Sequence, residues 1–235
     1  MTGDPALRAA LRHVAETRST AFRDVELTGS PDGTGGESLT FRGYASVTDS
    51  PYTVEDWLGE YTETVARGAF ARTLAQGADV PLKLNHSGIT LARTKSGTMR
   101  LAEDSVGLHV QADLDPSSPE VQTLRSAMQR GDVDEMSFAF RVTGQTWSPD
   151  YTERSITEVD LNKGDVSVVN FGANPATNGA TLRGLDVTDL LRSVPPGTLI
   201  TRALLESLAV ERAHQDEPEE ADLSLYHARL RLLGL

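Results

Sequence analysis

Ser137 stands in the stretch Met136-Ser137-Phe138-Ala139-Phe140, its hydroxyl next to a side chain as small as alanine. A serine hydroxyl is weakly nucleophilic until a base takes its proton, and that base needs a third group to hold its tautomer. In the body of the chain the candidate bases are His86 and His109, while His13 and His214 fall in terminal segments. Glu158, Asp160 and Asp165 are the candidate third groups, although 34 acidic residues make chance placement of any one of them easy. On these residues alone, Ser137 is either a packing residue on a crowded sheet or a nucleophile. Other chemistries lack their residues. Without cysteine there is no thiolate nucleophile and no thiolate metal site. Glycine-rich phosphate loops, histidine pairs at metal spacing and the Gly-x-Ser-x-Gly elbow are also missing, so no metal and no organic cofactor is expected.

The elements that must carry these groups are legible from periodicity. Met136, Phe138, Phe140 and Val142 alternate with Ser137, Ala139, Arg141 and Thr143, the pattern of a half-buried strand with Ser137 on the face away from the bulky residues. Residues 80–86 alternate in the same way, with Val80, Leu82 and Leu84 sharing a face that His86 extends at the strand's end. There a base of near-neutral pKa would sit half buried at a rim. Residues 97–102 and 106–114 read as a hairpin through Glu103-Asp104-Ser105, with His109 on its outer face. Between that hairpin and the Ser137 strand, Ser118-Pro119-Glu120 opens a helix that Gly131 closes. Residues 154–161 and 165–171 return as strand, interrupted by Asn162-Lys163-Gly164, which reads as a bulge or kink. Further strands are expected over 21–27, 38–48 and 61–65, with a short helix over 69–75.

The ends differ from this body. Residues 4–18 read as an amphipathic helix with Pro5 in its first turn, and 186–193, 199–213 and 223–233 read as helices with a proline break and an acidic break between them. The organisation is therefore an N-terminal arm (1–20), a strand-rich body (21–184) and a helical tail (185–235).

Composition narrows the partners. A net charge of −12 argues against general affinity for nucleic acid. No apolar run approaches the ~20 residues of a membrane span. The N-terminus carries no basic-then-apolar signal segment, so the expected location is the cytoplasm in which the chain is made.

Five segments occur in an order that carries more weight than any of them singly. They are Phe41-Arg42-Gly43-Tyr44-Ala45-Ser46-Val47, Glu63-Thr64-Val65-Ala66-Arg67-Gly68-Ala69-Phe70, Leu82-Lys83-Leu84-Asn85-His86, Met136-Ser137-Phe138-Ala139-Phe140, and the run from Asp165 to Thr177. Together they resemble the tailed-phage prohead maturation proteases, caudoviral serine proteases related to herpesvirus assemblin. The resemblance implies a mainly β fold with flanking α-helices, formed as a closed antiparallel β-barrel. It implies a serine endopeptidase acting in host cytoplasm inside the assembling prohead, on scaffold or the scaffold domain of the major capsid protein and on itself. By position His86 matches the family's catalytic histidine, Ser137 its nucleophile and Asp165 the acidic residue of the phage branch, with Asp160 and Glu158 as the alternatives. Amides near Gly172-Ala173 are the expected oxyanion donors, and the tail is expected to support a homodimer or scaffold docking. Two other readings remain at this point: a scaffolding protein that kept the fold and lost its chemistry, and a small serine esterase of another fold.

Overall fold

The computed structural model describes residues 15–31, 37–56 and 59–170, all within one compact unit that spans Met1–Leu185. A second unit, Asp186–Leu235, falls outside the described residues, and with it the three expected tail helices. Eleven strands and two helices are described. In chain order they are β1 (Ala15–Ala21), β2 (Glu26–Pro31), β3 (Glu37–Val47), β4 (Tyr52–Asp56), β5 (Gly59–Val65), α1 (Ala71–Ala75), β6 (Pro81–Leu84), β7 (Ser87–Arg93), β8 (Met99–Glu103), β9 (Gly107–Leu114), α2 (Pro119–Arg130), β10 (Glu135–Trp147) and β11 (Glu153–Val169).

The strands form two sheets. One runs β1-β10-β11-β5-β4, with β6 pairing both β11 and β7; the other runs β2-β3-β9-β8. The first is mixed, since β11 is antiparallel to β10 but parallel to β5 at its start and to β6 at its end. Among the described residues these pairings leave two sheets and no closed ring of strands, so the fold is mainly β with few helices.

One core joins the sheets. Leu39, Phe41, Leu108 and Val110 from the second sheet cluster with Met136, Phe138, Phe140 and Val142 of β10. The alternation expected for β10 is therefore what buries it. Phe138 and Phe140 stack with centroids 4.5 Å apart, and Phe70 meets Phe138 edge-on. Each fully buried side chain of this size contributes about 1.5–3 kcal/mol, which fixes the strand's register against a one-residue slip. Helix α2 begins at Ser118, whose Oγ accepts from the Val121 amide, and ends at Gly131 in the left-handed conformation, φ 73°. It delivers the chain into β10.

Three sequence expectations need correction. The N-terminal helix over 4–18 does not reach its C-terminal part, because Ala15–Ala21 is strand, paired antiparallel with β10; residues 1–14 lie outside the described set. Leu7, Leu11 and Val14 carried the helical pattern, but Ala15 onward has its own period of two, with Glu16 and Arg18 on one side. The strand expected over 21–27 is displaced to β2, leaving a turn between Ala21 and Glu26. The strand expected over 80–86 ends at Leu84. Asn85 and His86 both take left-handed conformations, φ 52° and 55°, in a two-residue turn that pairs Leu84 with Ser87. Positive φ at both central positions is the signature of a type I′ hairpin, and asparagine and histidine tolerate it better than branched residues do.

Candidate catalytic site

The turn at Asn85-His86 places the imidazole over the middle of the first sheet. Strand β6 lies parallel beside the end of β11, with Leu82 opposite Val166, Lys83 opposite Ser167 and Leu84 opposite Val168. The register continues past the strand: the Asn85 amide donates to the Val168 carbonyl, and Asn85 Oδ1 accepts from the Asn170 amide. The His86 amide donates to Ser167 Oγ at 3.2 Å. Three hydrogen bonds thus hold a turn whose backbone is intrinsically unfavourable.

The acid comes from β11. Ala139 of β10 pairs with Asp165, whereas Arg141, two residues on, pairs with Asp160, so residues 161–164 bulge out opposite Phe140. The bulge is anchored, since the Leu161 amide donates to Thr73 Oγ1 and Asn162 Oδ1 accepts from the Asp79 amide. Gly164 is required there: a Cβ at that position would stand 1.9 Å from the Ala139 carbonyl oxygen. The expected interruption at Asn162-Lys163-Gly164 is therefore present, and it turns Asp165 toward His86.

His86 Nδ1 lies 2.6 Å from Asp165 Oδ1, and His86 Nε2 lies 2.7 Å from Ser137 Oγ. Ser167 Oγ also donates to Asp165 Oδ1, at 2.8 Å. A neutral imidazole with its proton on Nδ1, donated to the carboxylate, presents Nε2 as acceptor to the serine hydroxyl. The three groups named from the sequence are brought together. The alternatives are engaged elsewhere: Glu158 accepts from Arg72 and Thr143, Asp160 accepts from the Asn162 amide, and His109 packs edge-on against Tyr44. Residues Gly172 and Ala173 lie outside the described set.

Ser137 itself is buried at 1% exposure. The cover is β1. Ser19 pairs with Ser137, and the Arg18 carbonyl oxygen lies 3.0 Å from Ser137 Oγ.

Strand β1 also supplies half of a buried charge cluster that sequence reading missed. Arg18 donates through Nε to Glu63 Oε1 at 2.6 Å and through Nη2 to Glu63 Oε2 at 3.0 Å. Arg154 donates to Glu63 Oε2 at 2.8 Å and to both carboxylate oxygens of Glu16, each at 2.8 Å. Tyr52 donates to Glu63 Oε1, and the Arg18 guanidinium lies over the Phe140 ring. Burial alone would raise the Glu16 pKa, but Arg154 and Arg18 outweigh it and hold the carboxyl at about 2. Glu63, fully buried, is likewise held below its ordinary value by Arg18 and Arg154 against the cost of burial. These residues are scattered from position 16 to 154, so spacing gives no signal; only the alternation of Glu16 and Arg18 hinted that they share a face.

Comparison with known proteins places this geometry in context. The family model described as caudovirus prohead serine protease matches residues 25–189. The prohead protease of Enterobacteria phage HK97 is 29% identical over 194 residues, covering 82% of this chain and 80% of that protein. Among solved structures, the bacteriophage T4 capsid assembly protease gp21 aligns over 66% of this chain and 97% of its own, with a TM-score of 0.45 and 10% identity.

Proposed function

Since this chain belongs to the caudovirus prohead serine protease family, we propose that it is the endopeptidase that matures a phage head. It cuts scaffold, or the scaffold domain of the major capsid protein, and itself, inside the assembling prohead in the host cytoplasm. Ser137 is the nucleophile, His86 the general base and then acid, and Asp165 the residue that orients the imidazole.

The observation that supports these roles is the continuous chain Asp165 Oδ1–His86 Nδ1 and His86 Nε2–Ser137 Oγ, with both links at 2.6–2.7 Å. As Ser137 Oγ attacks a scissile carbonyl carbon, its proton passes to Nε2, and the imidazolium is stabilised by the Asp165 carboxylate. Collapse of the tetrahedral intermediate breaks the C–N bond, and His86 returns the proton to the leaving amine. Water, deprotonated by the same histidine, then hydrolyses the acyl-serine and restores the hydroxyl. Ser167 holds two of the partners at once, through the His86 amide and the Asp165 carboxylate.

The body responsible is the strand-rich region to about residue 184, and the segment from 185 serves dimerisation or scaffold docking. Co-expression with the major capsid protein tests the assignment. Wild type is expected to yield discrete capsid-protein and self-cleavage products. Ser137→Ala and His86→Ala are expected to fold and yield none, and undiminished processing by either variant would overturn the roles. A chain ending near residue 184 that remains both active and dimeric would exclude the tail as the dimerising segment.

A further inference from the structure

Strand β1 pairs with β10 directly beside Ser137. It is the edge strand of its sheet, it covers Ser137, and its Arg18 carbonyl oxygen is 3.0 Å from the nucleophile. A hydroxyl has one proton to donate, so the Arg18 carbonyl competes with His86 Nε2 for it. With β1 in place the Ser137 side chain is buried. Between β1 and β3 runs a cleft of about 460 Å³ lined by Ser19, Ala21, Arg23, Ser46, Ser50 and Tyr52.

We propose that β1 is an intramolecular occupant of the substrate site, and that Glu63 with Arg154 forms the pocket that recognises an acidic-x-basic sequence ending at the scissile bond. This rests on the protease assignment above. The residue whose carbonyl faces Ser137 is Arg18, and its guanidinium reaches the buried Glu63 carboxylate with two hydrogen bonds. Two residues earlier, Glu16 lies on the same face of the strand and meets Arg154 with two more. Charge balance makes the pair specific. Withdrawing β1 removes one cation and one anion together, leaving Glu63 and Arg154 still paired at 2.8 Å. A substrate with arginine or lysine alone would add a net charge to a buried site, and one with an acid two residues before it restores neutrality. The pocket is therefore fitted to Glu/Asp-x-Arg/Lys.

The test uses quenched fluorescent peptides built on Ala-Glu-Thr-Arg-Ser-Thr-Ala, the sequence of β1, with the full-length enzyme and its Arg18→Gln variant. Glu63→Gln leaves two buried arginines sharing the single carboxylate of Glu16 and is unsuitable alone, because misfolding would mimic its effect. Cleavage is expected after Arg, and after Lys in its place, with kcat/KM for the Gln peptide lower by about 100-fold, the loss typical of an unpaired buried charge partner. Replacing the peptide's Glu by Gln is expected to lower it by about 10-fold. The Arg18→Gln enzyme should cleave the Arg peptide faster than wild type does, because its own strand competes less well. A merely structural Arg18 would give a slower, less stable enzyme, which would overturn the proposal. Equal cleavage of Arg and Gln peptides would overturn it too, as would capsid-protein processing without cleavage of any peptide. Failure to process the capsid protein at all would instead remove the protease assignment on which the proposal rests.

Discussion

Protonating Glu16 should release β1. Its carboxyl is held at about 2 rather than 4.5 by Arg154 and Arg18 working against burial. Each tenfold change in proton affinity is about 1.4 kcal/mol, so this fall corresponds to about 3 kcal/mol favouring the closed strand, or about 300-fold in its opening equilibrium. The folded pKa is depressed, so the contribution is complete above the unfolded value of 4.5 and disappears as pH falls toward about 2. Glu16→Gln mimics the protonated carboxyl at every pH. Native-state hydrogen exchange of the β1 peptide, compared between wild type and Glu16→Gln, isolates the effect because intrinsic exchange rates cancel in the ratio. Near pH 7 the variant should exchange about 300-fold faster. The ratio should shrink steadily below pH 4.5 and approach unity near pH 2. A ratio below about threefold at pH 7, or one that does not change with pH, would refute the claim that this charge cluster clamps the strand.

Four substitutions test the machinery behind Ser137. Asp165→Asn should lower kcat by about 10⁴-fold, because the amide favours the wrong imidazole tautomer, whereas Asp160→Asn should leave peptide hydrolysis within about twofold. Ser167→Ala removes the hydroxyl shared by the His86 amide and the Asp165 carboxylate. It should reduce kcat by about 10-fold with KM unchanged and cost about 1–3 kcal/mol in urea denaturation. Gly164→Ala forces a Cβ into a position 1.9 Å from the Ala139 carbonyl oxygen, with only backbone to yield. It should cost about 1–3 kcal/mol of stability and, by displacing Asp165, about 100-fold in kcat.

What the sequence made legible follows from how local each signal was. The alternation of Met136, Phe138, Phe140 and Val142 announced β10 because burial of one face is written at a fixed period. Ser118 and Gly131 bounded α2 because capping is a matter of one residue type at one position. The Asn162-Lys163-Gly164 interruption marked the register shift before Asp165, and the family's segment order pointed to His86, Ser137 and Asp165, which the fold brings within hydrogen-bonding distance. The I′ turn at Asn85-His86 was missed because a run of period two does not show where left-handed backbone begins. The cover over Ser137 was missed for a different reason. Its partner, β1, lies 118 residues away from Ser137 (Ser19 opposite it), and pairing over that separation leaves no mark in a window of sequence. The Glu63 cluster is of the same kind, with four charges contributed by three strands that meet only in the folded sheet.

Mapping where a serine-directed fluorophosphonate attaches tests the central claim most directly, because it reports the nucleophile by mass rather than by inference. The wild-type chain is expected to carry one adduct, on Ser137. His86→Ala should slow its formation by at least about 100-fold, as loss of the activating base demands. An adduct on another residue, or processing of the capsid protein that persists with Ser137 replaced by alanine, would contradict the account.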